Sequence, residues 1–185
     1  DLLANRLTGT MPSSLSDLTV LQFLEFSDNR LNGTIPEDFG LLTALTWLSL
    51  WDNALTGTIP SPLGQLTALK LFALDRNKLR GTIPDDLGLL TALTWLHLFD
   101  NILTGTLPSA LGQLTAVTKL NLSTNEFRGK IPDDFGLLTA LTALNLFNNS
   151  LTGTIPSSLG QLTALEALYL SNNTLNGTIL DDLGL

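Results

Sequence analysis

Cysteine is absent from the 185 residues, and histidine occurs once, at His97. Without cysteine there is no disulfide framework to report a redox compartment, and no Cys–His nucleophile pair can be built. A lone histidine with no cysteine beside it offers no repeated metal constellation, so no metal and no cofactor are expected. Basic residues are also scarce: 9 Lys and Arg stand against 17 Asp and Glu, a net charge of −8. Nucleic acid is excluded as a partner, because phosphate recognition needs a basic stripe. Anionic membrane surfaces are disfavoured for the same reason. No stretch approaches the ~18 uninterrupted apolar residues of a membrane span, so no direct membrane insertion is expected in this segment. Aromatic residues make up only 6% of the chain, which makes their placement informative.

What the chain has in abundance is a repeat. Asn5, Asn29, Asn53, Asn77, Asn101, Asn125, Asn149 and Asn173 stand 24 residues apart, as do the glycines from Gly9 to Gly177. The following proline keeps step from Pro12 to Pro156, and Leu180 breaks it. A fixed period of this length is the signature of a solenoid, whose units bury their apolar faces only against one another. The whole chain, 1–185, reads as a single repeat domain of about eight coils. Both ends fall within coils, and neither carries a polar cap. The expectation is therefore a piece of a longer array lacking both caps.

The coil LTWLSLWDNALTGTIPSPLGQLTAL, Leu45 to Leu69, serves as the type unit. Leu45, Leu48 and Leu50 have the alternation of a strand. Asn53 turns the chain, and its side chain is expected to satisfy backbone groups in the bend and to form a ladder with its equivalents. Leu55 and Ile59 return to the core. Gly57 is expected to allow a close backbone approach between coils, and Pro60 to end a short second strand. Leu63, Gly64 and Leu66 then make a brief helical or 3₁₀ turn. Acidic pairs at Glu37–Asp38, Asp85–Asp86, Asp133–Asp134 and Asp181–Asp182 open alternate turns, where carboxylates suit exposed N–H groups. A second period overlies the first, with PDDLGLLTALT-type coils alternating with PSxLGQLTAL-type coils every 48 residues.

The unit LxxLxLxxNxLTGTIPxxLGxL resembles the plant-type, LxGxIP class of leucine-rich repeat over the whole chain. That class supplies ectodomains of receptor-like kinases and receptor-like proteins, and secreted inhibitors of cell-wall-degrading enzymes. The resemblance implies an α/β solenoid wound as a right-handed superhelix. LxxLxLxx segments would form a parallel sheet on the concave face, TGTI segments a second lateral sheet, and 3₁₀ or short helical turns the convex side. It also implies an extracellular or cell-surface location. The sequons at Asn32, Asn121, Asn148, Asn172 and Asn176 lean the same way as possible N-glycosylation sites.

Residues flanking the inner leucines of each strand are expected to face outward on the concave side. All three tryptophans, the one tyrosine and the one histidine fall in these columns. The heavy aromatics cluster between Phe23 and Phe99. Exposed aromatic groups of this kind mark interaction sites, and the expected ligand-binding set is Phe23, Glu25, Trp47, Trp51, Asp52, Trp95, His97, Phe99 and Asp100. An aromatic floor with an acidic rim suits a protein, a peptide with basic or hydroxyl groups, or a polysaccharide. The competing structural reading is that the aromatics brace one another across strands. A third reading concerns the Thr-Gly-Thr segments at Thr8/Thr10, Thr56/Thr58, Thr104/Thr106 and Thr152/Thr154. Regular threonine rows resemble ice-binding or adhesive surfaces, although Asn32, Arg80, Arg128 and Asn176 interrupt the first position and Lys130 the second. No catalytic residues are expected: an open sheet lacks the closed cleft that raises a carboxylate's pKa for glycoside cleavage.

Overall fold

The computed structural model describes residues 1–178, and all observations below concern those residues. Leucines at alternate strand positions stack coil on coil into seven parallel inner strands: Phe23–Glu25, Trp47–Ser49, Leu71–Ala73, Trp95–His97, Lys119–Asn121, Ala143–Asn145 and Ala167–Tyr169. They lie in strict chain order and register. Leu24, Leu48, Phe72, Leu96, Leu120, Leu144 and Leu168 therefore form one column. The column points into a continuous apolar core shared with Leu45, Leu50 and their equivalents.

Three residues beyond each inner strand, the chain turns through a residue in the left-handed conformation. Asp28, Asp52, Arg76, Asp100, Thr124, Asn148 and Asn172 have φ between 51° and 56°. Short Asp and Asn side chains tolerate this region best, which accounts for most of the column. The repeated asparagine follows directly. Asn101 donates from Nδ2 to the carbonyls of Leu74 (3.0 Å) and Leu98 (3.3 Å), and its Oδ1 accepts from the Leu79 N–H at 2.9 Å. Asn53, Asn77, Asn125 and Asn149 repeat the pattern, so the expected ladder is present.

The lateral strands lie slightly upstream of the TGTI segments. They run, for example, over Arg30–Gly33, Ile102–Gly105, Glu126–Gly129 and Ser150–Gly153, and most end at the glycine. The cause is the glycine itself: Gly57 and Gly105 have φ of 81° and 84°, which turns the chain out of extended geometry. The strands form a three-stranded and a five-stranded sheet. Bonds from Lys78 N to Leu55 O and from Arg80 N to Gly57 O, both 2.8 Å, bridge the gap between them.

Seven 3₁₀ turns form the convex side, each starting after a proline whose carbonyl accepts the turn's first hydrogen bond, as Pro60 does from Leu63. Proline thus opens the turn as much as it closes the strand. Glu37–Asp38, Asp85–Asp86 and Asp133–Asp134 occupy first turns; Asp181–Asp182 lie outside the described residues. The close backbone approach expected at Gly57 occurs elsewhere. A Cβ on Gly57 would meet the Thr34 methyl, whereas one on Gly88, within a 3₁₀ turn, would lie 2.5 Å from the backbone oxygen of Ala110 in the next coil. The turn glycines allow the coils to pack; the lateral glycines allow the chain to bend.

Candidate ligand-binding site on the concave face

Seven short strands in register present their odd-numbered side chains as columns about 4.8 Å apart. The columns are not uniformly open to solvent as expected. Ser27, Ser49, Leu71, Ala73, Asp75 and Ser123 are buried, Leu71 between Trp47 and Trp95 of the adjacent strands. The face is therefore corrugated, with aromatic ridges on two coils and a trough between them.

The first ridge starts at Phe23, 58% exposed, whose ring stacks on Trp47 with centroids 6.3 Å apart. Trp47 donates its indole N–H to Glu25 Oε2 at 2.8 Å, and Glu25 Oε1 accepts the Ser27 backbone N–H at 3.2 Å. Glu25 thus orients an indole. The second ridge is continuous along its strand. Trp95 and His97 stack at 6.0 Å and 14°, and His97 meets Phe99 edge-on at 6.3 Å. Lys119 Nζ lies 4.8 Å from the Trp95 ring centroid, and the Arg76 guanidinium lies 5.8 Å from that of Phe99. Burial, assisted by Lys119, lowers the pKa of His97 and favours a neutral imidazole.

Between the ridges runs the Leu71–Ala73 strand. The trough is a cavity of about 420 Å³, walled by Trp47 and Trp51 on one side and Trp95, His97 and Phe99 on the other. A second hollow of about 480 Å³ adjoins it, lined by Phe23, Trp47, Lys70 and Trp95. Both lie within the range typical of ligand pockets. Of the nine residues singled out from sequence, Glu25, Trp47, Trp51, Trp95, His97 and Phe99 line the first cavity and Phe23 the second. Asp52 and Asp100 stand exposed at the adjoining left-handed turns.

Three polar groups of the outward columns lie outside the expected ligand-binding set. Asp75 occupies the trough floor, 6% exposed, in the column that holds Trp51 and Phe99 in the flanking coils. Burial raises its pKa to about 6; its own backbone N–H and Arg76 oppose that shift, while Asp52 and Asp100 add to it. Arg76 lines the same cavity, and Lys119 flanks it. The available signal was a break in pattern: an acid among aromatics, then an arginine in a column of aspartates.

The sequon asparagines are spread over several surfaces. Asn32 sits on a lateral strand, and Asn148 and Asn172 occupy the exposed left-handed turns. Asn176 is also exposed. Asn121 lies half-buried on the concave sheet, its Oδ1 accepting the Ser123 hydroxyl at 2.7 Å. The lateral threonines have a packing role. Thr34, Thr82 and Thr106 set their methyl groups over the glycine of the following coil, filling space that a Cβ would need.

The leucine rich repeat profile matches residues 43–103 and 91–151, with further repeats matched at 20–42 and 164–185. Among curated proteins, no sequence matches the chain significantly. Similar solved structures include the plant peptide hormone receptor RGFR1 in complex with RGF2, with 38% identity and a TM-score of 0.96. It aligns with 97% of this chain and 29% of its own. The Arabidopsis receptor kinase HAESA ectodomain in complex with an extended IDA peptide hormone is 37% identical, with a TM-score of 0.92, covering 97% of this chain and 31% of that one. A plant ice-binding protein is 30% identical with a TM-score of 0.71, covering 96% of this chain and 73% of that one. The chain thus spans less than a third of each of these two receptor structures.

Proposed function

Because the chain belongs to the leucine-rich repeat family, and its inner sheet carries an aromatic-walled trough, we propose that it is an extracellular recognition module binding a peptide or protein on its concave face. The observation that carries this reading is the pairing of two aromatic ridges, Trp47–Trp51 and Trp95–His97–Phe99, across a cavity of about 420 Å³. Aromatic anchors in a formed hollow supply most of the energy of typical interfaces. Two of the similar receptors are described in complex with peptide hormones, which supports a peptide over a polysaccharide. The module acts by binding, without chemistry of its own. The sequons agree with an extracellular setting, and a glycan on Asn121 would confine the ligand to the aromatic half.

Tryptophan fluorescence tests this directly, since all three indoles line the trough. Titration with extended peptides is expected to give a saturable shift. Trp47→Ala and Trp95→Ala should each weaken binding by about 1–3 kcal/mol. Equal binding by both variants and the wild type would move the contact surface elsewhere.

The likeness to an ice-binding protein favours a second reading, in which the exposed threonines of the lateral sheet order water. The row is broken by Lys130, and the parallel outer row by Arg80 and Arg128. Thermal hysteresis in dilute solution at or above that of a known ice-binding control would establish it.

A further inference from the structure

We propose that the trough holds a cation subsite in which the Asp75 carboxylate receives the guanidinium of an arginine side chain from an extended peptide. This inference rests on the concave-face reading and names the chemistry that the face selects.

Asp75 is 6% exposed on the cavity floor, and among the described residues no donor from another residue reaches its carboxylate. The explanation lies two residues upstream. In four other coils the equivalent backbone N–H is accepted by a polar side chain: Asp1 from Leu3, Glu25 from Ser27, Asn121 from Ser123, and Asn145 from Phe147. Ala73 cannot supply that acceptor, so the Asp75 carboxylate interacts with its own backbone N–H while lining the hollow. A carboxylate with little access to water and no partner from another residue is costly to ionise, and a bound cation relieves the cost. The nearby Arg76 does not do so; its guanidinium lies against Phe99 instead.

The walls select the same class of guest. Trp51 and Phe99 flank Asp75 on either side, two strand spacings or roughly 10 Å apart, which is room for one side chain. Indole and phenyl faces attract cations, and a planar, weakly hydrated guanidinium stacks on them while pairing with a carboxylate. The titratable surroundings are Glu25, Asp52 and Asp100, the cations Arg76 and Lys119, and His97, held neutral. Carboxylates outnumber cations here. Since the guest pairs with ionised Asp75, its affinity should fall as the pH drops below about 6.

N-acetyl-arginine amide and the neutral isostere N-acetyl-citrulline amide are the probes. They are read by the Asp75 ¹³Cγ titration and by tryptophan fluorescence in the wild type and in Asp75→Asn. The subsite predicts that the arginine probe lowers the Asp75 midpoint by at least half a pH unit while citrulline leaves it in place. It also predicts binding to the wild type about tenfold tighter than to Asp75→Asn, whose melting temperature should be no lower. If both probes act alike in both proteins, the subsite is overturned, while any shared fluorescence response leaves peptide binding on this face intact. If Asp75 responds to arginine but the tryptophans ignore every longer peptide, the subsite stands and the peptide reading fails. A free-protein Asp75 midpoint below 4 would show Arg76 already paired with it and would also overturn the subsite.

Discussion

At the scale of single residues, the coil is governed by groups with no alternative partner. Asn101 is 8% exposed and engages four backbone groups. Asn101→Ala should therefore cost about 3 kcal/mol, since buried donors and acceptors are left unmade. Exposed Asn5, bonded only to Leu2 and Leu3, should cost under ~1 kcal/mol, and urea denaturation of both variants measures the difference. Asp75 acts in the opposite sense. Its folded pKa of about 6 lies above the ordinary 3.8, so the folded state holds the proton more tightly, and stability declines as pH rises from about 4 to 6. Asp75→Asn should gain about 2 kcal/mol at pH 7, with the gain vanishing below pH 4. Thr124 is β-branched at φ 52°, a strained combination. Thr124→Asn should stabilise by about 0.5–1 kcal/mol in the same assay.

At the scale of elements, the asparagine ladder, the leucine columns and the aromatic clustering were all legible from spacing, because a 24-residue period repeats each environment many times. Conformation that depends on individual φ values was less visible. Asp52 and Asp100 read as a ligand rim, yet their column is shared by every residue that turns the chain in the left-handed region after an inner strand. The lateral strand read as TGTI ends at its glycine for the same reason. Gly57 and Gly88 answer different demands, one for φ and one for space. Substitution to alanine separates them. Gly9→Ala, with nothing within 4 Å, tests φ alone and should cost about 1 kcal/mol. Gly88→Ala drives a methyl into the Ala110 carbonyl and should cost over ~3 kcal/mol by thermal or urea unfolding. Asp75 falls in an outward column by spacing, but its burial depends on how Trp51 and Phe99 sit beside it, which no spacing encodes.

At the scale of the molecule, every contact between strands or turns among the described residues joins adjacent coils, and none there links distant ones. Such a chain behaves as a row of near-identical units coupled to their nearest neighbours, and Gly105→Val in the middle should lower stability more than any surface change. The trough has little freedom to open or close, because its two ridges ride on strands locked in register through Leu71–Ala73. That nearest-neighbour stacking also sets the response to mechanical load. Tension applied to the two termini would act on one inter-coil seam at a time, peeling the array from its ends. Each detached coil of 24 residues would release about 80 Å of chain, so the force trace should be a run of small, evenly spaced steps.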